Sequence, residues 1–161
     1  MKQIHAKILS NVEMTPHHYR LAVSAPWLAG RASPGQFVHV KCWGGDAGPL
    51  LRRPFSVHRA AGGRVEILYK VVGRGTELLS RRRRGELLDI LGPLGHGFDL
   101  ERTTNDERPF DSAPLASLGT SQGRRTTILV AGGMGVAPLV FLAEKIAYSL
   151  ERIAYRKKET V

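Results

Sequence analysis

The chain has 161 residues, with 24 lysines and arginines against 14 aspartates and glutamates, and a formal net charge of +10. Its composition of 42% hydrophobic and 24% charged residues excludes wholesale disorder and allows one globular domain, or one domain with part of a second. Cys42 is the only cysteine. This excludes an internal disulfide, a cysteine-cage zinc site and a cysteine-ligated iron–sulfur cluster within the chain, and it favours a reducing compartment, the cytoplasm.

The first hundred residues predict a small β domain. Apolar and polar side chains alternate over short runs, and turn residues such as Pro34-Gly35 and Gly62-Gly63 separate these runs. Many short strands with almost no helix favour a small antiparallel barrel or sandwich. The predicted strands, in chain order, are 2–12, 19–23, 36–42, 55–59, 64–72 and 87–91.

One or two turns of helix are predicted at residues 76–82, inside this β region. Thr76 is the candidate N-cap, because a threonine hydroxyl can accept a backbone N–H at a helix start. The preceding Gly73-Arg-Gly would let the backbone approach an anion, so that the glycines, the hydroxyl and the helix N-terminus form a cradle. A plain helix cap is an equally good interpretation.

The composition changes after residue 100. Residues 101–125 are polar and aperiodic, which indicates a linker or a surface insertion. The apolar run 127–131 predicts a buried parallel strand, and 138–152 predicts a helix with Pro138 in its first turn. We therefore interpret 126–161 as the first βα unit of an incomplete, doubly wound nucleotide-binding domain. The helix side chains expected to form its apolar face are Leu139, Leu142, Ala143, Ile146 and Leu150.

A glycine loop, Gly132-Gly-Met-Gly135, lies between this predicted strand and helix. Glycines there would let the backbone approach a pyrophosphate at the helix start. The spacing is not the GxGxxG fingerprint, and an ordinary glycine turn is the alternative. Residues 126–143 are uncharged, but the glycines and Pro138 favour a strand–loop–helix over a membrane span.

A second candidate phosphate site is Arg53-Pro-Phe-Ser56. An arginine beside a rigid proline can bind a phosphate through two hydrogen bonds, and the hydroxyl three residues later is expected along the same face. A solvated strand edge is the alternative. The basic run 81–84 lacks interleaved aromatic residues, so no specific nucleic-acid partner is expected. His17-His18 has no companions at metal-ligand spacing, so no metal site is expected.

The order of these motifs is more specific than any one of them. R-P-F-S at 53–56 is followed by Y-K-V-V-G-R-G-T at 69–76, L-G-P-L-G-H-G-F at 91–98 and G-G-M-G-V-A-P-L at 132–139. This series resembles the ferredoxin–NADP⁺ reductase superfamily, and within it the chain is most similar to the electron transfer subunit of the class B dihydroorotate dehydrogenases. The resemblance covers about residues 2–99 and 128–146.

The resemblance implies a Greek-key barrel over 1–100 that holds FAD, a linker over 101–125, and the start of an NAD-binding domain over 126–161. It implies that Arg53 binds the FAD pyrophosphate and that the backbone N–H groups of Gly75 and Thr76 cap it. Pro54 and Phe55 would shape the isoalloxazine pocket. The remaining implied cofactor contacts are Ser56 near the reactive flavin nitrogen, Leu68, Tyr69 and Lys70 along the flavin and its ribityl-phosphate tail, and Gly132, Gly133 and Gly135 beside the nicotinamide nucleotide.

The implied function is that of an oxidoreductase component. It would pass electrons between NAD(H) and a catalytic flavoprotein subunit that oxidises dihydroorotate to orotate in pyrimidine biosynthesis, with no catalytic acid or base of its own. The family's subunits carry a full nucleotide domain and a cysteine-rich tail with a two-iron two-sulfur cluster. With Cys42 alone, and ending within the nucleotide domain, this chain is expected neither to ligate the cluster nor to complete the electron path by itself.

Two alternatives stay open. One is another subunit of the ferredoxin–NADP⁺ reductase or sulfide dehydrogenase type. The other is a non-catalytic barrel that docks on a partner through the basic run 81–84.

Overall fold

The computed structural model describes residues 1–43, 51–98 and 129–158, with 150–158 described by backbone alone. Its strands are β1 (Lys2–Thr15), β2 (His18–Ser24), β3 (Phe37–Lys41), β4 (Arg53–Ala61), β5 (Arg64–Lys70) and β6 (Leu87–Leu94), and its helices are α1 (Pro26–Ala29), α2 (Arg74–Ser80) and α3 (Val136–Lys158), the last preceded by a 3₁₀ turn at Gly133–Gly135.

The strands form a closed antiparallel barrel in the order β1-β2-β5-β4-β3-β6. The barrel closes because β1 pairs with β2 along one side and with β6 along the other. Closure satisfies the backbone groups that an open sheet would leave unpaired at its edges. The predicted fold class, a small antiparallel barrel in a mainly β chain, is confirmed.

Period-two alternation fills the barrel interior with apolar side chains. In β1 this alternation places Ala6 and Ile8 inside, and both are buried. Branched residues dominate the core, as expected for strands that pack on one face. The fully buried branched side chains of the strands are Ile8, Leu21, Val23, Val38, Val40, Val57, Val65, Ile67, Leu88 and Ile90.

Four strands, β1, β2, β4 and β6, are longer than predicted, and the last two show why. The extended segment predicted at 55–59 is the nine-residue β4, which begins before Pro54 because β3 pairs alongside it, with His39 opposite Pro54. Likewise β6 continues through Gly92-Pro93 to Leu94, since Gly92 lets the strand pack directly on Val38. The predicted tight turn between β4 and β5 is confirmed, because Gly62 and Gly63 have φ of +56° and +75°, as a type I′ hairpin requires.

The helices differ in detail from the predictions. α1 was not predicted, because four residues are too few to show a helical period. α2 begins at Arg74 with Gly73 at its N-cap, so the expected N-cap, Thr76, lies inside the first turn instead. α3 begins at Val136 rather than at Pro138, which still lies in its first turn.

The face of α3 that packs matches the predicted one only in part. Phe141 is 2% exposed and Ala137 and Leu142 are also buried, whereas Ala143 is exposed and Leu139 and Ile146 are half-buried. The side chain of Leu150 lies outside the described residues. The face is rotated because α3 packs on β4 of the barrel, where the Ala137 carbonyl lies 3.0 Å from His58 Nδ1.

The predicted strand 127–131 is not formed where it is described. Leu129, Val130 and Ala131 have no strand pairing, and Val130 is 85% exposed, because no described strand lies alongside to take up their backbone groups. Residues 127–128 and the linker predicted at 101–125 fall outside the described residues. Of the helices described, none has the length and apolar character needed to span a bilayer.

Candidate functional site

The first element of the candidate site is the contact between Arg53, which begins β4, and Gly75, in the first turn of α2. A Cβ on Gly75 would lie 3.1 Å from Arg53 Nε and 3.3 Å from its Cγ. The bare glycine therefore makes room for the arginine side chain. Two residues predicted from separate motifs to share one phosphate group lie side by side in the structure.

The charge of Arg53 is available to a ligand. Among the described residues no carboxylate forms an ion pair with Arg53, and its side chain is half-buried. The adjacent Arg52 differs, since its guanidinium donates to Asp89 Oδ2 at 2.6 Å and to the Asp89 carbonyl at 3.2 Å. A half-buried guanidinium without an acidic partner is suited to an oxyanion such as a phosphate.

The first turn of α2 offers backbone donors but no free hydroxyl. Thr76 Oγ1 accepts the backbone N–H groups of Val72 at 2.9 Å and Gly73 at 3.2 Å, and donates to the Gly73 carbonyl at 2.9 Å. The Thr76 hydroxyl therefore stabilises the loop that precedes α2. This corrects the expectation that it would take part in an anion cradle. The amides of Gly75 and Thr76 lie in the first turn, where the helix provides no acceptor.

Aromatic side chains line the barrel beside Arg53. Phe55 meets Tyr69 edge-on with ring centroids 5.7 Å apart, and Tyr69 stacks on Tyr19 at 5.4 Å. Burial raises the pKa of Tyr69 and outweighs its hydrogen bond to Asn11, so the phenol stays protonated. Tyr19 is absent from the predicted site because only the pairing of β2 with β5 brings it opposite Tyr69.

The other predicted flavin contacts lie on the opposite face of the sheet. Strand alternation separates Pro54 and Ser56 from Arg53 and Phe55, so the expectation that the Ser56 hydroxyl shares a face with Arg53 is wrong. Val57 pairs with Ile67, and the next residues along each strand, Ser56 and Leu68, are therefore neighbours. Both are half-buried, and Pro54 and Lys70 on the same face are exposed.

Cys42 lies at the end of β3, close enough to Arg53 to feel its charge. Its side chain is fully buried. Burial raises the pKa of the Cys42 thiol to about 11, although the Arg53 charge acts in the opposite direction. The thiol is therefore neutral and is not a nucleophile at ordinary pH.

The glycine loop at 132–135 forms an open turn. The Gly135 N–H donates to the Gly132 carbonyl at 3.0 Å, and a Cβ added at Gly132, Gly133 or Gly135 would meet nothing within 4 Å. The turn lies against β5 of the barrel. The loop thus has the exposed backbone that a nucleotide contact would need, and this role stays a prediction.

A basic groove lies between β1 and the segment after α2. It has a volume of about 650 Å³ and is lined by residues 9–12 and 80–84. Two of its four arginines are paired, Arg81 with Glu77 and Arg82 with Glu86. No cluster of three or more metal-ligating side chains occurs in the part of the chain that the structure describes.

No family model matches the chain. The dihydroorotate dehydrogenase B (NAD(+)) electron transfer subunit of Desulforamulus reducens is 39% identical over 148 residues, which are 91% of this chain and 48% of that protein. The chain therefore spans about half the length of the curated relatives it matches.

Solved structures show the same barrel. The NADH-dependent reduced ferredoxin-NADP oxidoreductase, studied for flavin-based electron bifurcation, superposes with a TM-score of 0.53 at 28% identity, over 60% of this chain and 34% of that chain. The ferredoxin NADP⁺ reductase of Neisseria gonorrhoeae, solved with bound FAD and NADP, gives a TM-score of 0.53 at 23% identity, over 66% of this chain and 43% of that chain.

Proposed function

We propose that this chain, which belongs to the ferredoxin–NADP⁺ reductase superfamily, binds FAD on its barrel and takes part in electron transfer between NAD(H) and a partner flavoprotein. The observation that carries the proposal is the contact of Arg53 with Gly75. It places a guanidinium that lacks a carboxylate partner among the described residues beside first-turn amides, a donor set suited to a pyrophosphate.

The residues of the site fit FAD in chemical type. Arg53 and the amides of Gly75 and Thr76 would hold the pyrophosphate. Phe55 and Tyr69 are buried in the barrel core and form the aromatic wall beside Arg53, while Pro54, Ser56, Leu68 and Lys70, on the outer face of the sheet, would border the isoalloxazine and the ribityl phosphate. FAD supplies hydride and single-electron chemistry when bound. The protonated Tyr69 adds no charge to this wall, and the Ser56 hydroxyl could donate a hydrogen bond to the ring edge.

The similarity to dihydroorotate dehydrogenase B electron transfer subunits supports one reaction within the superfamily. We infer that the partner is the catalytic flavoprotein that oxidises dihydroorotate to orotate in pyrimidine biosynthesis. Gly132, Gly133 and Gly135 would border the nicotinamide nucleotide. The single thiol, Cys42, is buried, so this chain does not supply the ligands of an iron–sulfur cluster. A reducing compartment such as the cytoplasm suits one unpaired thiol.

The cofactor proposal is tested by adding FAD to the protein and measuring flavin fluorescence and the visible spectrum. Arg53→Ala should weaken FAD binding by about 1–3 kcal/mol, because a charge-assisted hydrogen bond is lost. The neighbouring Arg52→Ala is the matched control, since Arg52 bonds to Asp89 and its loss should lower stability but not FAD affinity. Wild-type protein that binds no flavin would overturn the proposal, and equal losses in both variants would overturn the role of Arg53.

The partner proposal needs a separate experiment. Wild-type protein is mixed with a dihydroorotate dehydrogenase catalytic subunit and run on a size-exclusion column. Co-elution in a defined stoichiometry supports the proposed partner, whereas separate elution of two folded, flavin-loaded proteins contradicts it and leaves the FAD proposal intact.

A further inference from the structure

We propose that Asn11 is a positioning residue of the FAD site, holding Tyr69 with one end of its side-chain amide and helix α2 with the other. This inference rests on the proposed function, because it concerns the same site. Asn11 lies in the middle of β1, in no sequence motif, and it is not among the predicted contacts.

The hydrogen bonds of Asn11 reach two parts of the site. Its Nδ2 donates to the Leu79 carbonyl at 2.9 Å and lies within 3.2 Å of the Arg82 carbonyl, with the Ser80 carbonyl at 3.4 Å. Its Oδ1 accepts the hydroxyl of Tyr69 at 3.0 Å. The carbonyls belong to the last turn of α2 and the residues just after it, where the regular helix hydrogen bonds end; the Leu79 carbonyl also accepts the Arg82 N–H at 3.0 Å.

A break in the strand directs Asn11 toward these groups. The pairing of β1 with β2 shifts register between Ile8 and Ser10. Such a bulge inserts one residue and re-aims the side chains that follow it. Before the bulge the even-numbered Ala6 and Ile8 point into the barrel, and after it the odd-numbered Asn11 takes the side that faces Tyr69.

Helix α2 transmits the position of Asn11 to Arg53. The helix is seven residues long, about 10 Å, and its first turn contacts the Arg53 side chain at Gly75. A displacement of the last turn of so short a helix moves Gly75 as well. Asn11 thereby orients two groups. It orients the Arg53 guanidinium indirectly, through α2, and it orients the Tyr69 ring directly, through a hydrogen bond.

The test separates these two connections by variants at residue 11. Asn11→Asp keeps an acceptor for the Tyr69 hydroxyl but removes the donor to the α2 carbonyls, and Asn11→Ala removes both. Val12→Ala, an exposed neighbour on the same strand, is the matched control. Affinities for FAD and for riboflavin are measured by flavin fluorescence, because riboflavin lacks the phosphates that Arg53 would neutralise.

Asn11→Asp should lower FAD affinity by about tenfold, since Arg53 loses its orientation, and leave riboflavin affinity unchanged. Asn11→Ala should lower both affinities, and Val12→Ala neither. Hydrogen exchange of the α2 amides should be faster in Asn11→Asp than in the wild type. Where Asn11→Asp does not fold, Asn11→Ala tests the inference by itself: it should lower FAD affinity more than riboflavin affinity, because only FAD also depends on the orientation of Arg53, and equal losses would overturn the inference.

Three other results would overturn the inference. The first is wild-type FAD affinity in Asn11→Asp. The second is an equal loss of FAD and riboflavin affinity in Asn11→Asp that follows its melting temperature, which is the mark of a merely structural residue. The third is wild-type protein that binds neither flavin, which overturns the proposed function at the same time.

Discussion

Arg53 and Gly75 are in contact across the boundary between the barrel and α2. A Cβ on Gly75 would lie 3.1 Å from Nε and 3.3 Å from Cγ of the arginine. These distances are shorter than ordinary van der Waals contacts. The contact joins the start of one strand to the start of a helix that follows the next strand. Glycine at this position therefore serves the arginine side chain rather than a turn.

Gly75→Ala is expected to weaken FAD binding without weakening the fold. The added methyl would displace the Arg53 side chain by a few tenths of an ångström, and we expect FAD affinity to fall by about three- to tenfold. Alanine is favoured over glycine in a helix by about 1 kcal/mol, so the free energy of unfolding should stay equal or rise. Fluorescence titration with FAD and urea unfolding measure the two quantities.

Gly73→Ala is the control for this variant, because a Cβ at Gly73 would meet nothing within 4 Å. It should retain wild-type FAD affinity. If Gly75→Ala also binds FAD as the wild type does, the orientation of Arg53 is not set by this contact.

Much of the barrel could be predicted because strand alternation and turn chemistry are local. Gly62-Gly63 predicts a hairpin turn without any other information. The alternation of apolar residues around Ala6 and Ile8 likewise predicts the buried face of β1 from a short stretch of sequence. The family resemblance also implies that Arg53 and Gly75 share one phosphate group, and the two residues are in contact in the structure. Local patterns do not predict which distant residues come into contact when the strands pair and the barrel closes.

Asn11 and Ser56 show why the rest was missed. The bulge after Ile8 reverses the alternation of β1. No residue type in the sequence marks this bulge, so the sequence alone does not distinguish Asn11 from the other residues of the strand. For Ser56 the motif suggested proximity to Arg53, yet alternation along β4 puts the two side chains on opposite faces. The packing of α3 on β4 was also out of reach, since apolar periodicity shows that a helix has a buried face but not which surface covers it.

The junction of β6 with β3 predicts a clash that can be relieved. A Cβ on Gly92 would stand 2.7 Å from Val38 Cγ1, so Gly92→Ala should cost about 1–3 kcal/mol of stability through overpacking. Val38→Ala removes the obstructing methyl. The double variant should therefore be less destabilised than the sum of the two single variants, as measured by urea unfolding. Additive losses would show that Gly92 does not pack against Val38.

The ion pair of Arg52 with Asp89 predicts a pH dependence of stability. Burial alone would raise the pKa of Asp89, but the hydrogen bond and charge of Arg52, with a further hydrogen bond from Gln3, outweigh burial and lower the pKa below the ordinary value of 3.8. Because its pKa is lowered in the folded state, the ionised Asp89 contributes its full stabilisation above the unfolded-state pKa of 3.8. This contribution is lost as the pH falls through the folded-state pKa.

Asp89→Asn should accordingly reduce the free energy of unfolding at neutral pH by about 1 kcal/mol and flatten its decline below about pH 4. Urea unfolding at a series of pH values measures this slope. Arg52→Ala should produce the same flattening, since it removes the other member of the pair. A wild-type slope in both variants would contradict the coupling.

The docking of α3 on the barrel gives the last prediction. Phe141 is 2% exposed in the core beside β4, and the same helix face is fixed by the pairing of Glu144 with Arg59. Phe141→Ala should therefore cost about 3–5 kcal/mol in urea unfolding, the usual loss for a buried aromatic. Tyr148, on the same helix but 60% exposed, provides the control, and Tyr148→Ala should change stability by no more than about 0.5 kcal/mol.

Equally small effects of the two variants would mean that the helix does not pack on β4. The rotated apolar face of α3 would then have to be covered by another surface.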